Sequence, residues 1–101
     1  MAMRIISKAA LRAFWQVHPE AEGPLRHWYS VVRNALWENP NDVRDTFNSV
    51  DLVVRCYVFN VGGNRYRIVA AIHFNTRRVY IRHVLTHREY DRGKWKWECG
   101  A

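Results

Sequence analysis

At 101 residues the chain is expected to form one domain, 1–101, with room for a single core and a single site or interface. A hydrophobic content of 49%, with five Trp, five Tyr and four Phe, excludes a disordered chain. No apolar run nears the roughly 20 residues of a membrane span, and the N-terminal MAMRIISKAALRAFW lacks the apolar core of a signal peptide, so the expected place is the cytoplasm, with no membrane partner.

The net charge of +7 lies wholly in one half. Met1 to Val54 is balanced, whereas Arg55 to Ala101 carries ten basic residues, eight of them arginine, against Glu89, Asp91 and Glu98. Arginine's planar fork of donors suits bidentate contact with phosphate, and a polyanion is the expected partner.

In chain order, Arg4-Ile5-Ile6 reads as a short strand, and Ser7 as the cap of a helix over KAALRAFWQVH, where Ala10, Leu11, Phe14 and Trp15 recur at helical spacing. Pro19 to Pro24 breaks that helix. A second is predicted from about Pro24 to Trp37, with Leu25, Trp28, Tyr29, Val32 and Leu36 on one stripe, ending at Asn39-Pro40-Asn41. The polar stretch from Asn41 to Asp51 reads as a connecting loop with a short helical turn. Three strands follow, at roughly Val53 to Asn60, Arg65 to Phe74 and Arg77 to Leu85, with Gly62-Gly63-Asn64 and Asn75-Thr76 as turns.

A two-residue loop at Asn75-Thr76 sets a register in which Ile72 faces Val79, Ala70 faces Ile81 and Tyr66 faces Leu85, aligning the large apolar residues. The opposite face then places Arg67 against Val84 and Val69 against Arg82, with the two arginines diagonal to each other. A Val61 to Asn64 loop would add Asn60 opposite Arg65 and Val58 opposite Arg67. The fold class is therefore α+β, with two N-terminal helices on a small, mostly antiparallel sheet and a short C-terminal helical turn. Cys56 sits in an apolar run and Cys99 near the C-terminus, without CxxC or histidine at ligand spacing. They read as a buried thiol and a tail thiol, and no metal or other cofactor is expected.

The stretch VLTHREYDRGKWKW, from Val84 to Trp97, carries the chemistry. His87 follows the third strand directly, and Tyr90 three residues on shares its face if HREYDR makes a helical turn. Arg67, Arg82, His87 and Tyr90 can then converge on one phosphate. Scission of RNA by its own 2′-hydroxyl needs a proton acceptor, cations for the charge that builds on phosphorus, and a proton donor for the departing 5′-oxygen. Histidine, arginine and tyrosine can fill these roles without a metal. Tyrosine is a poor acid unless neighbouring arginines lower its pKa. A different class of reading keeps the same patch as a non-catalytic RNA- or ribosome-binding module, with His87 and Tyr90 as contacts. His18, His27, His73 and His83 are ordinary surface or structural histidines on this view. A DNA-binding role is disfavoured, since no helix carries basic residues on one face.

YVFNVGGNRYRIVAAIHF, from Tyr57 to Phe74, followed by RRVYIRHVLTHREYDRGKWK, from Arg77 to Lys96, resembles the HigB family of toxins within the RelE superfamily of messenger-RNA interferases. The resemblance implies a two-helix, small-sheet ribonuclease that cuts messenger RNA, commonly on the ribosome. It also implies a co-encoded HigA-type antitoxin with a helix-turn-helix domain, through which alone operator DNA would be bound. The superfamily's central-strand arginine and C-terminal histidine and tyrosine fall on Arg67, His87 and Tyr90, with Arg82 inside the YIR motif. Asn60 also matches. Asn60, Arg65, Arg77, Arg78, Lys94 and Lys96 are the expected RNA contacts around them, anchoring phosphates without reading sequence.

Overall fold

The computed structural model describes residues 2–99. Strands β1 (Arg4–Ile6), β2 (Asp51–Val53), β3 (Cys56–Val61), β4 (Tyr66–His73) and β5 (Arg78–Thr86) form one sheet in the order β1-β5-β4-β3-β2. β1 runs parallel to β5 and every other pair is antiparallel, which is the expected α+β class. Helices α1 (Lys8–Val17), α2 (Glu22–Arg33) and α3 (Pro40–Thr46) precede the main sheet, and α4 (His87–Arg92) and a 3₁₀ segment, Lys94–Cys99, follow it.

Local chemistry accounts for the helix starts. The Ser7 hydroxyl accepts from the Ala9 N–H at 3.1 Å and opens α1, and the Asn39 side chain accepts from the Asp42 N–H at 3.1 Å ahead of Pro40 in α3. The second helix ends earlier than its stripe suggests. α2 stops at Arg33, Leu36 is 65% exposed, and Trp37 enters the core from the following loop. Its indole N–H donates to the Thr46 hydroxyl at 2.9 Å. A loop can bury the bulkier neighbour when its indole nitrogen has an acceptor.

Two strand expectations change for physical reasons. The predicted strand from Val53 is two strands joined at Val54-Arg55, where Val54 adopts a φ of 55°. A β-branched residue rarely takes that conformation, so nothing in the sequence marks the turn. The β3–β4 turn spans Gly62 to Arg65, with positive φ at Gly62, Gly63 and Asn64. A Cβ on Gly62 would stand 3.0 Å from the Tyr66 ring. Val61 therefore pairs with Tyr66, and Asn60 pairs with Arg67 rather than Arg65.

The sheet is covered on both faces. Tyr57, Phe59, Val61, Tyr66, Ile68, Ala70 and Val79 meet Leu11, Trp15, Leu25, Trp28 and Val32 of the helices. On the other side Cys56, Val58 and Val69 pack beneath Trp95 and Cys99, with Leu85 and Tyr90 alongside. At the centre of the helical side, Phe59 has the Trp28 ring at 5.3 Å, Phe47 at 5.2 Å and Trp37 at 6.4 Å. Phe59→Ala should cost about 3–5 kcal/mol of stability, measured as the shift in urea midpoint at unchanged slope. A loss below about 1 kcal/mol would mean that the aromatic cluster can collapse around the gap.

Candidate active site

Arg67 lies on the central strand of the sheet, on the face away from α1 and α2, and the residue is only 9% exposed. Its Nη1 donates to the Asn64 carbonyl at 2.8 Å and to the Tyr66 carbonyl at 3.2 Å. The guanidinium sits over the Tyr90 ring, 5.1 Å from its centroid, and the other face of the aromatic stack is formed by Trp95, with ring centroids 5.0 Å apart and 15° between planes. Trp95 is fixed in turn by its indole N–H, which donates to the Tyr90 carbonyl at 2.9 Å.

α4 carries Tyr90 to this position. Thr86 and Glu89 form a reciprocal capping box at its start, and Gly93, with φ 74°, ends it in the left-handed region. The His87 backbone N–H donates to the Arg65 carbonyl at 3.0 Å, tying the helix to the β3–β4 turn. The exposed His87 ring has its Nδ1 2.9 Å from an Asp91 carboxylate oxygen, one turn along. Asp91 thus orients the ring, leaving Nε2 as the nitrogen available to a ligand. Burial holds the Tyr90 phenol above the usual tyrosine range, the carboxylates of Asp51 and Asp91 add to that, and Arg67 opposes it. The condition under which tyrosine would become a better acid, a pKa lowered by neighbouring arginine, is not fulfilled: Arg67 acts in that direction and burial outweighs it.

The diagonal pairing of Arg67 with Arg82 is not observed. Val69 pairs with His83, whereas Ala70 pairs with Ile81, so Arg82 is the extra residue of a bulge in β5. The bulge reverses the strand's phase. Val79, Ile81 and Val84 face the helices, while His83 and Leu85 join the face that carries Arg67. Arg82 lies over the Tyr80 ring at 5.7 Å. The alternation of Val79-Tyr80-Ile81 gives way to a polar pair, Arg82-His83, and then an apolar pair, Val84-Leu85. That double break is the sequence signal of the bulge.

The remaining expected contacts divide between the two ends of the sheet. Asn60 pairs directly with Arg67, and Arg65 lies in the turn above it, its Nε donating to the Gly62 carbonyl at 3.1 Å. Arg77 and Arg78 lie at the opposite end of the β4–β5 hairpin, about 20 Å along the strand from Arg67 at the usual rise per residue. Lys94 and Lys96 are exposed on the C-terminal segment, Lys96 5.9 Å from the Trp95 ring.

Sequence reasoning missed what holds that segment down. Cys56 and Cys99 are not separate thiols but a disulfide, spanning 43 residues and buried under Trp95. One strand cysteine and one distant cysteine give no pairing signal without the fold. Sequence reasoning also missed Trp95 as the support of Tyr90, and His83, which only the bulge brings to this face.

The comparisons with known proteins agree with this architecture. The family model described as HigB_toxin, RelE-like toxic component of a toxin-antitoxin system, matches residues 21–93. The chain belongs to the HigB toxin family. It is 34% identical over 92 residues to the mRNA interferase toxin HigB of Escherichia coli K12, covering 88% of each chain. It is similarly related to the mRNA interferase HigB of Shigella flexneri, and is 32% identical over 93 residues to that of Escherichia coli O6:H1. The five-stranded mixed sheet and its helices are consistent with a RelE-like fold. The family match contains Arg67, Arg82, His87 and Tyr90 and ends at Gly93, just before the segment bearing Trp95 and Cys99.

The disulfide closes a long loop, and the chain-entropy relation assigns such a link about 4 kcal/mol. Cys99→Ser should lower stability by up to that amount and broaden the Trp95 and Tyr90 ring resonances, while the helical side of the sheet keeps its amide protection. An unchanged melting point in the variant would mean that the segment docks without the link.

Proposed function

We infer that this chain is the toxin of a toxin–antitoxin pair, folded as one domain, and that it cuts messenger RNA, acting in the cytoplasm on the ribosome-bound transcript. The observation that carries this reading is the Arg67–Tyr90 contact at the end of α4, in a chain whose HigB relatives are named mRNA interferases. An arginine held by carbonyls and a ring keeps its full charge for a phosphate. Arg82 supplies a second cation from the bulge, reaching the substrate further along the strand. Asn60, Arg65, Lys94 and Lys96 surround the scissile phosphate, and Arg77 and Arg78 hold the RNA strand at the far end of the hairpin.

His87, oriented by Asp91, takes the proton from the 2′-hydroxyl through Nε2. Tyr90 keeps its proton at neutral pH because burial disfavours the phenolate. Its raised pKa makes it a weak acid, so it suits a hydrogen bond to the departing 5′-oxygen, and the proton that His87 takes up is the one returned to that oxygen. The nucleophile belongs to the substrate, so the products are a 2′,3′-cyclic phosphate and a 5′-hydroxyl, and cleavage proceeds with a chelator present. The toxin is neutralised by a HigA-type helix-turn-helix antitoxin, through which alone the pair meets operator DNA. The alternative, an RNA- or ribosome-binding module without cleavage, differs in one respect: it leaves the RNA intact.

Arg67→Ala should reduce cleavage about 10²- to 10³-fold, the range for removal of one charge-stabilising donor, with the circular dichroism spectrum and melting transition largely kept. Replacing the ribose before the scissile bond by deoxyribose should abolish cutting while binding survives. Full cleavage by a folded Arg67→Ala variant would remove this residue from the mechanism. Normal cutting of the deoxy substrate would remove the 2′-hydroxyl mechanism.

A further inference from the structure

Beside Trp95 the structure holds a cavity of ≈ 260 Å³ between β5, α4 and the C-terminal segment. We propose that this cavity is a recognition pocket for one nucleobase of the RNA strand, selecting bases that carry an exocyclic amino group, with Glu98 as the reading carboxylate. The inference deepens the reading of the chain as an RNA-cutting toxin and rests on it for the identity of the ligand.

Four features converge. The volume is below the roughly 300 Å³ at which pockets for drug-sized ligands begin, which suits a single flat ring rather than a whole nucleotide. Leu85 and Trp95 give the cavity an apolar wall, the surface against which RNA-binding proteins place unstacked bases. Two carboxylates face it, and they differ in freedom. Glu89 is committed to the capping box through the Thr86 N–H at 2.9 Å, whereas Glu98 is exposed and reaches only His83, its oxygen 3.2 Å from Nε2. That contact is not aligned as a hydrogen bond, and the His83 Nε2 is sealed from solvent without a hydrogen-bond partner. A polar ring edge entering the cavity can place its amino hydrogens on the exposed Glu98 carboxylate, with the His83 ring forming part of the wall beside it. Cations stand at the rim, in Arg92 and Lys94, where the phosphates flanking such a base would lie.

The same groups argue against an acidic protein segment as the occupant, since it would meet two carboxylates at the cavity wall. Location argues for the substrate of the described site. Leu85, a wall residue of the cavity, is the direct cross-strand partner of Arg67, so a phosphate on Arg67 and a base in the cavity can belong to neighbouring nucleotides. Carboxylate recognition of an amino group distinguishes guanine, adenine and cytosine from uracil.

The test titrates the intact toxin with the 3′-monophosphates of guanosine, adenosine, cytidine and uridine, following the His83 ring and Trp95 indole resonances. The three amino-bearing nucleotides should shift both signals, with uridine monophosphate weaker by about tenfold or more, the scale of one good carboxylate–base contact. Glu98→Gln should flatten that difference without unfolding the chain, because Glu98 is exposed. Arg67→Ala should keep the base preference while losing cleavage. Equal affinity for all four nucleotides, no shift with any of them, or an unchanged preference in Glu98→Gln overturns the pocket. Shifts that come only with the antitoxin would make the cavity a protein-docking site instead, and also overturn it. A wild-type protein that discriminates the bases yet cuts no RNA would overturn the nuclease reading and leave the pocket standing.

Discussion

A nearly buried arginine without a carboxylate partner is the constraint around which this molecule is arranged. Among the described residues no acid lies within ion-pair distance of Arg67. Burying a charge is costly unless it is compensated. Here the compensation comes from two backbone carbonyls, that of Asn64 in the β3–β4 turn and that of Tyr66 at the start of β4, and from the face of Tyr90. A carboxylate would have neutralised the cation and competed with an incoming phosphate. Carbonyl dipoles and a ring quadrupole stabilise it without removing its charge. The tight turn at Gly62 and Gly63 is therefore part of the site, because it aims the Asn64 carbonyl at the guanidinium.

The second face of the sheet follows from the same requirement. Tyr90 can hold its place over Arg67 only if something backs it, and Trp95 does so, pinned by its own hydrogen bond and by the Cys56–Cys99 link behind it. The helical side is an ordinary hydrophobic core centred on Phe59. Among the described residues the opposite side is thin: five buried apolar residues beside the buried Arg67, one disulfide and one stacked aromatic pair. A site on that side gains access to a long, flexible substrate and depends on cross-linking for its rigidity.

Much of this was legible in the sequence because it is local. Helical spacing gave α1 and most of α2, turn residues gave the β4–β5 hairpin, and the charge asymmetry gave a cationic sheet end. The register at Ile72–Val79 and Ala70–Ile81 is as the alternation predicts. It fails after Ala70, because one extra residue in β5 costs little locally and yet exchanges the faces of everything beyond it. Arg82 and His83 change roles at that point. Trp37 replaces Leu36 in the core for a similar reason: the acceptor on Thr46 is supplied by another element. The disulfide was illegible because it joins the C-terminal segment to a strand 43 residues earlier, and the Trp95 support because the Gly93 turn that folds Trp95 back onto Tyr90 leaves no periodic pattern in the sequence.

Arg67 and Tyr90 are packed as one unit, the guanidinium over the ring, and if they serve cleavage they serve it together. Cleavage rates of the same RNA by Arg67→Lys, Tyr90→Phe and the double variant measure that coupling directly. Strong non-additivity is expected, with the double variant little worse than the more damaged single variant. Independent losses that multiply in the double variant would contradict it.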